Sequence, residues 1–274
     1  MVTGVPRSPR GTCPLQAAFP TGVGAEAGKP EEGVVARVGR SRRERAQLLS
    51  ELGPHSRAAE AYRQLRSNLR FASVDAPLRS VTVTSALAGE GKSLTSANLA
   101  IAMAQAGTST LLVDADLRKP ALHRLFAVPG YPTGLTSVLI GQAGLEQAIW
   151  HSNIENLSLL PAGDIPPNPA ELVQSAAMSD LHWEFLDQFE FIIYDSPPVL
   201  PVVGALEISA LSGAALLVVR VDKTPKDAVR RALEQLERGQ VSVLGTVLNG
   251  MRSAEGYGYD YYDVRVWSRS SVTA

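Results

Sequence analysis

The chain has 274 residues, of which 45% are hydrophobic and 19% charged, with a formal net charge of −1. That length suits one large domain, or one domain with tails, and the near-neutral balance excludes a protein built to embrace nucleic acid or another polyanion. A single cysteine, Cys13, excludes an internal disulfide and suits a reducing compartment. No apolar run approaches the ~18 residues of a membrane span, so the expectation is a cytoplasmic protein that meets the membrane's inner face only through a partner.

Residues 1–50 are expected to be a disordered extension. Up to about Arg40 they are rich in Gly, Pro, Ala and Arg, with no sustained period of 2 or 3.6. The basic run Ser41–Arg45 reads as a solvated linker cluster rather than a contact with anionic lipid. Arg57–Phe71 predicts an amphipathic helix with Ala61, Leu65 and Leu69 as its buried stripe. Glu60, Arg63 and Arg66, three apart, share a second face. They read either as a wet intrachain Glu–Arg pair or as a charge contact between subunits.

The stretch Ser85-Ala86-Leu87-Ala88-Gly89-Glu90-Gly91-Lys92-Ser93 follows the β-rich run Ser80–Thr84 and opens into a predicted helix, Leu94–Gln105. Strand, glycine-bearing loop ending in Gly-Lys-Ser, then helix is the context of a phosphate-binding loop. Glycines let backbone N–H groups approach phosphates, and the helix N-terminus adds its positive dipole end. Lys92 would reach the β- and γ-phosphates, and the Ser93 hydroxyl would ligate Mg²⁺. Ala86 stands where the first glycine usually does, which is acceptable if that residue keeps a negative φ. The chain therefore reads as one that binds a nucleoside triphosphate, with Gly89, Glu90, Gly91, Lys92, Ser93 and Leu94 around it.

Downstream, apolar strands are expected at Thr110–Asp114, Asn156–Pro161, Phe191–Asp195, Ala214–Val221 and Leu244–Leu248. Helices are expected near 134–140, 169–177, 179–188, 203–211 and 225–238. Runs apolar on both faces suit parallel strands covered on two sides. The predicted architecture is a doubly wound α/β domain with a mostly parallel sheet, a P-loop NTPase of the deviant Walker type over residues 51–249. A tyrosine-bearing tail, 250–274, follows.

Ligands of such sheets lie beyond the carboxyl ends of the strands, and two strands here end on acids, in Asp114-Ala115-Asp116 and Asp195-Ser196. An acid ending a buried strand is costly without a cation or donor to meet it. Asp195 reads as a Mg²⁺ anchor rather than a helix cap. Of Asp114 and Asp116, one would serve the metal and the other take a proton from an attacking hydroxyl; spacing does not say which. Arg118 and Lys119 would stabilise phosphate charge or simply pair with the two acids.

Together, AGEGKS at 88–93, Leu111–Pro120 and Phe191–Pro201 resemble the bacterial tyrosine kinases, P-loop enzymes associated with capsular and exopolysaccharide synthesis. Pro161–Leu172, the Glu60-x-x-Arg63-x-x-Arg66 helix and the tail cluster Tyr257, Tyr259, Tyr261 and Tyr262 extend the similarity. The resemblance implies an ATP- and Mg²⁺-dependent cytoplasmic kinase that phosphorylates its own tail tyrosines between subunits of a ring. Glu60, Arg63 and Arg66 would be the ring contact. A membrane-bound polysaccharide chain-length-determinant protein would be its activator, and a tyrosine phosphatase and sugar-metabolism proteins are further partners to expect. It also implies that Asn249 contacts adenine, that Asp114 is the base, and that Asp116 and Asp195 surround Mg²⁺ with Ser93. Two positions depart from the family's pattern: Ala88 replaces a usual proline, and Gly204 a common aspartate.

Each phosphotyrosine adds roughly −1.5 to −2 charges, so phosphates crowded in one tail would repel each other and the acidic site. Two rival readings share the fold. A positioning ATPase of the partitioning type carries an early loop lysine where this chain has Leu87. A non-catalytic ATP-binding adaptor of an export complex would keep the fold without the chemistry, yet Lys92, Ser93, Asp114, Asp116 and Asp195 are all present.

Overall fold

The computed structural model describes residues 34–39, 48–53, 55–71, 77–130 and 133–251. The tail tyrosines Tyr257, Tyr259, Tyr261 and Tyr262 lie outside the described residues, as does the basic run at 41–45. None of the described helices is long and apolar enough to cross a membrane.

Eight strands form one sheet. In chain order they are β1 (Val34–Gly39), β2 (Ser80–Ser85), β3 (Thr110–Asp114), β4 (Trp150–His151), β5 (Leu157–Leu160), β6 (Phe191–Asp195), β7 (Ala214–Arg220) and β8 (Ser242–Met251). Across the sheet the order is β1-β8-β7-β2-β6-β3-β5-β4, and every pairing is parallel except the short β4–β5 hairpin. The helices are α1 (Arg57–Phe71), α2 (Lys92–Ala104), α3 (Leu122–Leu125), α4 (Leu135–Leu139), α5 (Leu145–Ala148), α6 (Pro169–Val173), α7 (Ala176–Gln188), α8 (Gly204–Ser212) and α9 (Lys226–Arg238). The doubly wound reading holds.

The central strands are buried along their whole length, and their side chains alternate between two cores. Leu112 and Ile193 face α1 and α2, whereas Leu111, Val113, Ile192 and Tyr194 face α7. A third cluster packs Ala228, Ala232 and Leu236 of α9 on Ala215 and Leu217 of β7. This is why the strands read as continuous apolar runs rather than alternating ones. Every residue of α2 except Ser93 is buried, because α2 lies under α1 as well as on the sheet.

Three expectations shift. The stripe of α1 is Ala58, Tyr62, Leu65 and Leu69, with Ala61 only partly buried. Spacings of 4, 3 and 4 hold one direction on a 3.6-residue helix, whereas 61, 65 and 69 drift around it. Residues 34–39, inside the segment expected to be disordered, pair with β8 as an edge strand. Leu48 and Leu49 join the main core, where the Leu49 N–H donates to Asn98 Oδ1 at 2.7 Å, so the packed region begins before residue 51. The helix expected at 169–177 stops at Val173; Ser175 then caps α7 by accepting from the Met178 N–H.

Candidate active site

β2 runs into the loop 86–91, and α2 begins at Lys92. Gly89 and Gly91 take φ of +80° and +97°, a region that only glycine enters without strain. Ala86 is fully buried and is not among the residues of positive φ, so the missing first glycine costs nothing. The loop is tied from several sides. Ser85 Oγ donates to the Leu87 carbonyl at 2.7 Å, and the Leu87 N–H donates to Glu90 Oε2 at 2.9 Å. Thr224 Oγ1, from the β7–α9 turn, donates to Glu90 Oε1. Asn249 Nδ2, near the end of β8, donates to the Glu90 carbonyl at 2.7 Å.

β3 and β6 are neighbours, and their registered ends place Asp114 opposite Asp195. Lys92 Nζ meets this acidic edge, 2.8 Å from Asp116 Oδ2, 3.8 Å from Asp195 Oδ1 and 3.3 Å from Ser93 Oγ. Ser96, one turn beyond Lys92, donates to Asp195 Oδ1 at 3.2 Å. Asp116 Oδ1 accepts the Lys119 N–H at 3.0 Å. Asp114 Oδ2 accepts the N–H groups of Ala121 and Leu122, both at 3.0 Å, and so anchors the start of α3. Two buried oxygens find no partner there, Asp114 Oδ1 and Asp195 Oδ2.

Electrostatics follow from that burial. Burial, reinforced by Asp195, pushes the Asp114 carboxyl up to about 7, against the pull of the Leu122 and Ala121 N–H groups and of Lys92. Asp195 is raised as well, first by burial, while Lys92 and the hydroxyls of Ser93 and Ser96 hold it down. Burial alone would weaken the Lys92 ammonium, but Asp195 and Asp116 outweigh it and the net shift is upward.

An orphaned Asp195 oxygen beside Asp116 and Ser93 is an oxygen donor set short of positive charge. Mg²⁺ is commonly held by one or two carboxylates with water and substrate phosphates completing the shell. With the unpartnered Asp195 Oδ2 and the Ser93 hydroxyl as oxygen donors, the residues present fit Mg²⁺ bound together with a nucleotide.

Lys92, Ser93, Asp114, Asp116 and Asp195 lie together at this sheet edge, with Asn249 against the same loop. Arg118 and Lys119 do not pair with the acids: both side chains are exposed, and neither forms an ion pair among the described residues. Glu60, Arg63 and Arg66 sit apart on α1. Arg63 Nη1 pairs with Glu60 Oε2 at 2.8 Å, and Arg66 Nη1 donates to the Ala102 carbonyl at 3.0 Å. The sequence reading missed Ser96 and Thr224. Ser96 was within reach, being four residues after Lys92 on one helix face. Thr224 carries no local signal, because its partner is 134 positions away.

Fold and site define a P-loop nucleotide-binding protein, and the family model described as AAA domain matches residues 78–238. The tyrosine-protein kinase YwqD of Bacillus subtilis (strain 168) is 40% identical over 229 residues, 84% of this chain and 96% of that protein. CpsD of Streptococcus agalactiae, also a tyrosine-protein kinase, is 34% identical over 77% of this chain and 92% of its own length. The tyrosine-protein kinase ptk of Acinetobacter johnsonii is longer; at 36% identity, the match covers 73% of this chain but 27% of that protein. Among solved structures, the chimerical protein CapA2B2 superposes with a TM-score of 0.75 at 37% identity, covering 80% of this chain and 95% of that one. The kinase domain of the Escherichia coli tyrosine kinase ETK gives 0.74 at 30% identity, covering 83% and 93%. The chain belongs to the bacterial tyrosine-protein kinase family.

Proposed function

We propose that the chain is an ATP- and Mg²⁺-dependent protein-tyrosine kinase that phosphorylates the tail tyrosines Tyr257, Tyr259, Tyr261 and Tyr262 of a neighbouring copy. The observation that carries the reading is the Lys92 ammonium held against Asp116 and Asp195, at the foot of a glycine loop and beside a buried, half-unpartnered Asp114. The loop N–H groups of Gly89 to Leu94 receive the phosphates, and Lys92 turns from the acids to the β- and γ-phosphates. Ser93, Asp116 and Asp195 would hold Mg²⁺, which supplies neutralisation of the phosphate charge.

The tyrosine oxygen attacks the γ-phosphorus in line. A new O–P bond forms, the bond to the β,γ-bridging oxygen breaks, and ADP leaves. The phenolic proton passes to Asp114, whose Oδ1 has no hydrogen-bond partner and whose proton affinity is suited to neutral pH. Asn249, already fixed to the loop, borders the adenine.

The Glu60/Arg63/Arg66 face of α1 is the ring contact in this proposal. Burial, then Arg70 and Arg63, lower the pKa of Arg66, while Glu60 on the same helix raises it. The protein acts at the inner face of the membrane through a chain-length-determinant partner and so regulates capsular or exopolysaccharide synthesis; a tyrosine phosphatase would reset it. The match to the longer ptk relative covers 27% of that protein, so sequence related to this chain also occurs within larger chains.

Replacing the four tail tyrosines by Phe should abolish self-phosphorylation and leave ATP affinity intact. An unchanged phosphotyrosine signal in that variant would refute the tail as the acceptor.

A further inference from the structure

We propose that Glu90 and Thr224 are positioning residues that hold the adenine edge of the site at a fixed distance from the phosphate loop, so that the site selects a nucleotide over a bare polyphosphate. The proposal rests on the reading that ATP lies between the loop and Asn249, and not on the tail as acceptor.

Glu90 is 4% exposed, although Leu87, Ala88 and Gly89 before it face solvent. Burying a carboxylate is costly unless donors meet it, and in a loop that receives an anion it also opposes the ligand's charge. Bulk alone could come from a neutral side chain. What a carboxylate adds is two acceptor oxygens at the end of one side chain, and both are used. Oε2 accepts the Leu87 N–H at 2.9 Å, which closes the loop on itself. Oε1 accepts the Thr224 hydroxyl, which ties the loop to the turn between β7 and α9.

Thr224 is held on its other side too. Its Oγ1 accepts the Arg220 N–H at 3.0 Å while donating to Glu90, so one hydroxyl fills both roles. Its own N–H donates to the Arg220 carbonyl at 2.9 Å. Arg220 ends β7 in register with Asn249 of β8, and the Val221 N–H donates to the Asn249 carbonyl at 2.9 Å. Asn249 returns to the loop, its Nδ2 donating to the Glu90 carbonyl at 2.7 Å. The bonds close a circuit from Glu90 to Thr224, Arg220, Asn249 and back, which Glu90 enters through both side chain and backbone.

Two ties on one residue fix an orientation, whereas one leaves a pivot. Without the Thr224 bond, the loop turns about the Asn249 bond alone. A ligand that touches only the loop is indifferent to that pivot. A nucleotide spanning the loop and the strand ends is not, because it must then hold the two parts in place itself, at a cost in binding.

The test measures binding of ATP and of inorganic triphosphate, each with Mg²⁺, to the full chain by titration calorimetry. The parent should bind ATP more tightly. Thr224→Val keeps the shape and removes the donor; it should raise the Kd of ATP about tenfold, the size of a hydrogen bond to a charged group, and that of triphosphate by about twofold at most. Thr224→Ala, which adds no bulk, should do the same, and Thr224→Ser should bind both ligands as the parent does. In a Glu90→Ala background, Thr224→Val should change ATP affinity by about twofold at most, since its partner is gone. In transfer assays the loss should fall on the KM for ATP and leave kcat unmoved. Equal losses for the two ligands in Thr224→Val would mean that the loop is merely loosened, and parental ATP affinity in that variant would mean that the bond positions nothing; either result overturns the proposal alone. A parent that binds triphosphate as tightly as ATP would overturn it together with the placing of adenine at Asn249.

Discussion

Asn249 Nδ2 stands 2.0 Å from where a Cβ on Gly91 would be, and it donates to the carbonyl of Glu90. The end of β8 is thereby locked onto the phosphate loop at Gly91, the left-handed residue that caps the start of α2. Gly91→Ala meets two obstacles, the displaced asparagine and a φ of +97°. A strained residue of this kind costs on the order of 1–3 kcal/mol, and the loss falls where the loop must present its N–H groups. The expected outcome is a lowered unfolding midpoint together with at least tenfold weaker ATP binding, measured by titration calorimetry. ATP affinity like that of the parent would show that the loop does not need this lock.

His182 on α7 lies in the core with its Nδ1 2.6 Å from Tyr194 Oη, and its Nε2 has no partner. Burial lowers its pKa to about 4, against about 6.5 when the chain unfolds. The unfolded state therefore binds the extra proton first. Stability from this residue is complete above pH 6.5 and is lost as the pH falls toward 4, by on the order of 3 kcal/mol. His182→Gln removes the titrating group, so the urea midpoint of the variant should vary less than the parent's between pH 7 and 4.5. Parallel curves for the two proteins would place the acid sensitivity elsewhere.

The α1 cations give a test of assembly that leaves the nucleotide site alone. Substituting Glu60, Arg63 and Arg66 together by Ala removes, among their contacts within the chain, a half-buried pair worth a few tenths of a kcal/mol and the Arg66 bond to the Ala102 carbonyl. The fold should survive with a small drop in melting temperature. If this face is the ring contact, sedimentation velocity should show the parent assembling and the variant staying a monomer, with transfer to the tail falling alongside. An unchanged sedimentation profile would reduce this face to an intrachain pair.

The parts of the molecule that were legible in the sequence are those fixed by local chemistry. Glycine, lysine and serine at set spacings announced the loop, and apolar strands ending on Asp114 and Asp195 announced the edge that it faces. The edge strand Val34–Gly39 was hidden because its neighbours in sequence are rich in glycine and proline, and only pairing with β8 makes it a strand. Tyr62, not Ala61, carries the stripe of α1 into the core, where its ring is fully buried. Asp114 could be named as an acid at the site, but not as the anchor of α3, since that depends on two N–H groups seven and eight residues on. The Glu90–Thr224 contact arises from segments far apart in the chain, joined only by the order of the sheet.

The central claim is phosphate transfer to the tail, and it is tested most directly by mass spectrometry of the C-terminal peptide after incubation with Mg²⁺-ATP. The parent chain should carry phosphate on one or more of Tyr257, Tyr259, Tyr261 and Tyr262, with or without the cytoplasmic segment of a membrane partner. Lys92→Met, which leaves Asp116 and Asp195 facing the phosphates with no ammonium between, should reduce that signal by about a hundredfold or more. A parent that binds ATP but leaves those tyrosines unmodified in both mixtures, or a Lys92→Met variant as active as the parent, would contradict the account.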